Sequence, residues 1–285
     1  MSRVCTLFAL LLVLVTGCRP AGSTAARPSL PASPSTPAAS ATPADRVPPL
    51  KQDDGPPGLL KSLHTEHYAD HDRVVFQFYG PHLPSPYLRY VDRVTADPSD
   101  RPVPLAGKAF VQIAFHGGRL DTAPVEPDPA KARRYTGPTH LTPGYPLLRE
   151  LNLVGDYEAV LSFALGLSAV AGLSTSTNAG TLVLDLWATA PATMLWPITS
   201  IAQARQVQDA TKAGHQPWTL DATQVAMQYT ESVLHWPGAG IRPLSANVVQ
   251  VYDNDKAPAA VITLRQPLGQ PGTVWTVASV VRPAR

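Results

Sequence analysis

Alternation of apolar and polar residues with a period of two dominates the middle of the chain. In the segment 72–78, Val74, Phe76 and Phe78 fall on one face and the intervening residues on the other. A period of two is typical of a half-buried strand. Proline and glycine break the chain between such segments, which favours an all-β sandwich or barrel. Further strand candidates are the segments 87–92, 109–115, 147–153, 159–167 and 181–187, of which the last two alternate well.

The last hundred residues have a different pattern. Ser200 and Asp221 are suited to cap two helices, and Gly214 is suited to end the first. Strand-like runs follow at 247–252, 259–264 and 274–281. The predicted fold class is therefore mainly β with α+β: a β-sandwich domain over residues 59–188, then a small domain of helices and an antiparallel sheet over residues 189–285.

The amino terminus has the layout of a secretory signal. Arg3 precedes an apolar run from Leu7 to Thr16, which is about half the ~20 residues needed to span a bilayer. The sequence at positions 15–18, Val-Thr-Gly-Cys, resembles the lipobox of bacterial lipoproteins. That resemblance implies a signal peptide at residues 1–17, removed by cleavage, and a diacylglyceryl group on the sulfur of Cys18. The alternative is an ordinary signal peptide in which Cys18 is incidental.

A segment rich in proline, alanine and serine follows, from residue 18 to residue 58. It has few bulky apolar residues, so it cannot bury enough surface to offset the entropy of ordering it. Such a composition predicts an extended, disordered tether between a membrane anchor and the folded part.

Charge and cysteine content exclude several classes of protein. The chain has 23 Lys and Arg against 21 Asp and Glu, a formal net charge of +2, which argues against a nucleic-acid binder. Its cysteines are Cys5 and Cys18. With one in the signal peptide and one lipidated, the folded part has no disulfide, no thiolate metal site and no cysteine nucleophile.

Five motifs follow one another in residues 59–188: His71 to Gly80, Leu88 to Asp92, Val103 to Gly107, Tyr135 to Pro138 and Gly155 to Glu158. In this order they resemble the AMIN-like domain of actinobacterial lipoproteins. The resemblance implies a β-sandwich related to the AMIN modules of cell-wall amidases and secretins. Those modules are non-catalytic and position their partners on the envelope, with peptidoglycan as the suspected ligand.

No constellation in the sequence favours catalysis. His64, His67 and His71 could hold zinc if they converged, but the favoured interpretation is a polar rim before a strand. There is no G-x-S-x-G elbow, and residues 174–178, Ser-Thr-Ser-Thr-Asn, are typical of a polar turn. We therefore expect no enzymatic activity, no cofactor and no metal.

Two groups of residues are suited to bind a ligand. Arg73 and Arg89, with Tyr87 and Tyr90 nearby, place guanidinium groups and rings on a sheet, where they could bind glycan or peptide carboxylates. Alternatively both arginines face water or pair with the aspartates at 72 and 92.

In the second domain, His215 and Trp218 join a polar group to a large ring beside a helix start. They could line a cavity between helix and sheet, or Trp218 could only pin the link by packing.

These features predict a lipid-anchored binding protein on the extracytoplasmic side of the cell membrane. Its partners would be the membrane, through Cys18, and peptidoglycan or another wall polymer, through the β-sandwich. The alternative is a structural or interaction lipoprotein whose C-terminal domain docks another envelope protein.

Overall fold

The computed structural model describes residues 56–282. The helices are α1 (Ile201–Lys212) and α2 (Ala222–Ser232), with short 3-10 helices at Pro129–Lys131 and Pro217–Leu220. In chain order the strands are β1 (Leu60–His67), β2 (His71–Phe78), β3 (Ser85–Val91), β4 (Thr95–Ala96), β5 (Arg101–Pro102), β6 (Ala109–His116), β7 (His140–Leu141), β8 (Leu148–Tyr157), β9 (Val160–Leu167), β10 (Gly172–Asn178), β11 (Thr181–Trp187), β12 (Gly240–Pro243), β13 (Val248–Tyr252), β14 (Pro258–Arg265) and β15 (Thr276–Val281).

Two antiparallel sheets form a sandwich. The first has the order β1-β2-β11-β10, and the second has the order β3-β6-β9-β8-β7. Their inner faces share one core, in which Phe76 of β2 lies 5.0 Å from Phe115 and 5.4 Å from Phe163 between ring centroids. Burying each such ring stabilises the folded state by about 1.5–3 kcal/mol. The alternating apolar residues of these strands therefore hold the two sheets together.

A third sheet, of order β12-β13-β14-β15, carries α2 on one face, whereas α1 packs through Ala204 against Ile198 and Val274. On that face Val251, Ile262 and Val277 pack with Val225 and Tyr229 of α2. Because a strand alternates, the neighbouring residues point the other way. Val248 and Val261 accordingly join the core of the sandwich, and so does Val281, which lies beyond an irregularity in the pairing of β14 with β15. The third sheet is thus buried on both faces, and all described residues fall in one compact unit, Pro49–Arg285.

Polar side chains of the third sheet also bond the sandwich. Gln250 accepts from the backbone N–H of Tyr90 at 2.8 Å. Thr263 accepts from the N–H of Leu173 at 3.1 Å, and Ser279 donates to the Leu173 carbonyl at 2.6 Å. Gly172 permits this approach, because a Cβ there would lie 2.7 Å from a methyl of Thr263.

The predicted fold class is confirmed. Both predicted helix caps are present: Ser200 accepts from the N–H of Gln203, and Asp221 accepts from the N–H of Gln224. The interpretation of residues 174–178 as a turn is wrong, because they belong to β10. That strand is largely exposed and polar, so it lacks the alternation by which a strand is recognised. Residues 64–67, interpreted as a rim, belong to β1.

Candidate functional site

Arg73 is engaged within the first sheet. Its Nε donates to Asp185 Oδ1 at 2.6 Å and its Nη2 to Oδ2 at 3.2 Å, a bidentate pair between neighbouring strands. Hydrogen bonding to Asp185 is the largest of the causes that raise the pKa of Arg73. The guanidinium also lies over the ring of Tyr68, 4.9 Å from its centroid. The expected pairing of Arg73 with Asp72 is wrong, because Asp72 lies on the opposite, inner face of β2.

Tyr87 and Arg89 lie together on the outer face of β3. They line a cleft of about 330 Å³ with Asp97, Asp100 and His116. Arg89 donates to Gln112 at 2.9 Å, and the Tyr87 hydroxyl donates to the carbonyl of Pro258 at 2.8 Å. Burial raises the pKa of Tyr87. Arg89 therefore does not pair with Asp92, which instead accepts from Arg242 at 2.7 Å.

Tyr90 lies on the other face of the same strand, inside the core, with 6% of its surface exposed. Its hydroxyl donates to the carbonyl of Ala171 at 2.6 Å and accepts from the N–H of Ala171 at 3.0 Å. Burial raises the pKa of this hydroxyl. The structure thus separates Tyr90 from Tyr87 and Arg89. The Tyr90 hydroxyl instead anchors the backbone at the start of β10.

His215 and Trp218 come together in one groove. The groove has a volume of about 380 Å³ and lies between α1 and the segments that precede and follow it. The ring of Trp218 stacks on Trp196 with 5.7 Å between ring centroids. Trp196 also meets Tyr229 of α2 edge to face at 5.8 Å. Trp218 therefore both packs against its neighbours and lines a cavity.

One cavity lined by three cationic side chains was not predicted from the sequence. A cleft of about 410 Å³ lies beside β1 and is lined by Lys61, Tyr79, Arg133, Arg134 and Tyr135, with Leu59 and Gly137 among the other lining residues. We call this the basic cleft. The Lys61 ammonium lies 5.6 Å from the centroid of the Tyr79 ring. Three cations and two aromatic rings thus share one concave surface.

The motif at residues 135–138 shapes one wall of the basic cleft. The Tyr135 ring folds across Gly137, and its hydroxyl donates to the carbonyl of Pro138 at 3.0 Å. A Cβ on Gly137 would overlap that ring, so the glycine is needed for the ring to lie there. Burial raises the pKa of Tyr135, so the ring presents a neutral hydroxyl and an apolar face at neutral pH.

The charges of the basic cleft are only partly neutralised. Asp121 accepts from Arg134 Nε at 2.8 Å, and its pKa is lowered first by the N–H of Ala123 and then by Arg134. Arg133 is exposed, and its guanidinium has no hydrogen bond or ion pair with any other residue in 56–282. An anion in the cleft would meet this unpaired guanidinium directly.

The three histidines of the first strands do not converge. His64, His67 and His71 lie beside Glu66, Asp72 and Asp70, at 3.5, 2.7 and 2.7 Å. Within residues 56–282, no group of three or more histidine, cysteine or acidic side chains is placed to hold a metal ion. The same part of the chain has no helix with the length and hydropathy to cross a bilayer. Cys18 lies outside the described residues.

Comparison with known proteins agrees with the geometry of the sandwich. Residues 59–188 match the family model of the AMIN-like domain, at the position that the sequence motifs indicated. This match points to a non-catalytic module associated with the cell envelope. No curated protein and no solved structure matches the chain.

Proposed function

We propose that this chain is a non-enzymatic binding protein of the cell envelope, anchored by lipid on Cys18, which binds peptidoglycan or another anionic wall polymer. The observation that carries the proposal is the basic cleft. Lys61, Arg133 and Arg134 surround it, and the rings of Tyr79 and Tyr135 form part of its walls.

The chemistry of the basic cleft suits a polymer that carries carboxylates beside sugar rings. A guanidinium such as that of Arg133 donates two parallel hydrogen bonds to a carboxylate. Tyrosine offers an apolar face and a polar edge, to which a sugar ring with its hydroxyls is complementary. Each exposed ion pair contributes about 1 kcal/mol or less, so a single contact is weak. Repeated sites on a polymer raise the apparent affinity of a membrane-anchored protein.

The segment 18–58 gives this arrangement its reach. An extended proline-rich chain rises ~3 Å per residue, so the tether would place the basic cleft well away from a lipid on Cys18. Anchor, tether and cleft together describe a protein that links the membrane to the wall.

Co-sedimentation with insoluble peptidoglycan sacculi tests the proposal. We use the full chain with Cys18→Ser, which lacks the proposed lipid. Arg133→Ala is expected to weaken binding about 3- to 5-fold, because one exposed ion pair is lost. The double variant Lys61→Ala with Arg133→Ala is expected to lose more than about 10-fold, since two contacts are removed. High salt should weaken binding of the parent protein.

Arg149→Ala is the matched control, because Arg149 is exposed on β8 and does not line the cleft. Equal losses of sacculus binding in Arg133→Ala and Arg149→Ala would show only a general charge effect. That result would overturn the assignment of the binding site to the basic cleft. A loss confined to Arg89→Ala would move the site to the cleft of Tyr87 and Arg89. No sedimentation of the parent protein at any salt would exclude a wall polymer as the ligand.

The second candidate is a protein that docks another envelope protein through residues 189–285. The observation that favours it is apolar surface: Leu195, Ile201, Leu220 and Val233 are each 39–45% exposed. Cross-linking in the membrane fraction, compared between the parent protein and Leu195→Ser with Leu220→Ser, distinguishes it. A cross-linked partner that disappears in this variant, without sacculus binding, would favour the docking function.

A further inference from the structure

The groove that holds His215 and Trp218 lies outside the residues matched by the AMIN-like family, and it has its own chemistry. We call it the indole groove, defined by Trp196, Gln206, His215, Gln216 and Trp218. Its volume of about 380 Å³ lies within the range of about 300–1,000 Å³ typical of small-molecule sites.

The aromatic floor of the indole groove is fixed before any ligand arrives. The carbonyl of Trp196 accepts from the N–H of Val277 at 2.8 Å and from the Thr276 hydroxyl at 2.9 Å, which ties it to β15. Trp218 sits in a 3-10 helix whose Thr219 is fully buried, and the Thr219 carbonyl accepts from the N–H of Trp275 at 2.7 Å. The two rings therefore lose little conformational entropy when a ligand binds.

Gln216 projects from a backbone conformation that is uncommon for a residue with a side chain. Its φ and ψ are both 48°, in the left-handed region. The Thr219 hydroxyl donates to the Gln216 carbonyl at 2.8 Å, which holds that conformation. Backbone conformations of this kind are concentrated at binding sites, where the surrounding structure maintains them.

Polar groups of the indole groove have no partner among residues 56–282. The indole N–H groups of Trp196 and Trp218 make no hydrogen bond there, and neither do the carboxamides of Gln206 and Gln216. Gln203 differs, since it donates to the Pro197 carbonyl at 3.2 Å and accepts from Thr199 at 2.9 Å. The groove thus presents four polar side chains around stacked rings, and their hydrogen-bonding groups are available to a ligand.

The indole groove carries no side chain with a permanent charge. The residues of α1 that line it are Gln203, Gln206, Val207 and Ala210, which share one helix face because they are three or four apart. Arg205, Asp209 and Lys212 lie outside this set, and Lys212 pairs with Asp209 at 3.2 Å. A charged ligand would find no counter-ion, so the groove fits a neutral ligand.

We propose that the indole groove binds an uncharged saccharide. A sugar ring has a C–H face that packs on an aromatic surface, and hydroxyls that accept from indole N–H groups and exchange hydrogen bonds with carboxamides. A proline-rich peptide fits less well. Trp196 and Trp218 are stacked with 5.7 Å between ring centroids, so they leave no slot between them for a proline ring.

The test is a titration of the full chain with Cys18→Ser by the tetramer of N-acetylglucosamine. Of the five tryptophan indole N–H signals in the ¹⁵N spectrum, those of Trp196 and Trp218 are expected to shift. Gln206→Ala and Trp218→Phe, which each remove one hydrogen-bonding group, should weaken binding about 3- to 10-fold. Raising the salt should leave the affinity unchanged, because no charge takes part.

Arg205→Ala is the control, since Arg205 is exposed on the same helix but outside the indole groove. Its affinity should match that of the parent protein. No binding of the tetramer, or binding retained in both groove variants, would overturn the proposal. So would a proline-rich peptide that shifts these two signals when the saccharide does not. The outcome is independent of the basic cleft, because Lys61→Ala with Arg133→Ala leaves the groove intact.

Discussion

Replacing Asp72 by alanine is expected to lower the free energy of unfolding by about 3 kcal/mol, because two buried backbone donors lose their acceptor. The carboxylate of Asp72 is 1% exposed, and its Oδ2 accepts from the N–H groups of Leu147 and Leu148, each at 2.8 Å. Its Oδ1 lies 2.7 Å from His67 Nδ1. One side chain of β2 therefore fixes both β1 and the start of β8.

Urea unfolding measures this effect. The matched control is Asp92→Ala, since the Asp92 carboxylate also accepts hydrogen bonds, from Arg242, but its side chain is 79% exposed. An exposed ion pair is worth about 1 kcal/mol or less, so the control should change stability little. Equal losses in the free energy of unfolding would show that the buried hydrogen bonds of Asp72 contribute no more than the exposed ion pair of Asp92.

The double variant Thr263→Val with Ser279→Ala is expected to lower the free energy of unfolding by about 2–4 kcal/mol. The reason is that it leaves the N–H and the carbonyl of Leu173 without hydrogen-bond partners. β10 is an edge strand, so the N–H and carbonyl of Leu173 point away from β11. Thr263 and Ser279 satisfy them, at 3.1 and 2.6 Å. Thr263 is fully buried, so water is not available to replace its hydroxyl.

Thermal and urea unfolding of this variant should be compared with Thr273→Val and Ser99→Ala. These positions undergo the same chemical changes, but their hydroxyl bonds are in exposed turns. The control pair should lose less than about 1 kcal/mol, since water replaces the lost bonds. A loss in the test pair no larger than in the control pair would contradict the role assigned to the Leu173 contacts.

Alternation and capping residues were sufficient to predict most of the fold. Residues 74, 76 and 78 enter the core as their period of two requires, and Ser200 and Asp221 cap the helices. The same period could have placed Asp72 inside, since it shares their parity. An aspartate is rarely buried, so residue type argues against the inner position that the period gives it. Strand β10 was not predicted because its residues 174–178 are all polar.

The binding sites were harder to predict, since they depend on partners far apart in the sequence. Arg73 is bonded by Asp185, 112 residues away, and so is not a free cation. The basic cleft joins Lys61 and Tyr79 to Arg133, Arg134 and Tyr135, which lie more than fifty residues further along the chain. No local pattern links these segments. The Tyr135 motif was recognised, but its role as a wall of a cleft required the fold.

The contacts at Leu173 have a consequence for how this chain can be divided. An open edge strand is a template for pairing with another chain, and proteins avoid aggregation by covering it. Here the cover is supplied by residues 263 and 279, beyond the end of the AMIN-like match at 188. A fragment cut at residue 188 would also expose the core that Val248, Val261 and Val281 now complete. We expect such a fragment to self-associate through β10, so the family boundary is not a safe site for truncation.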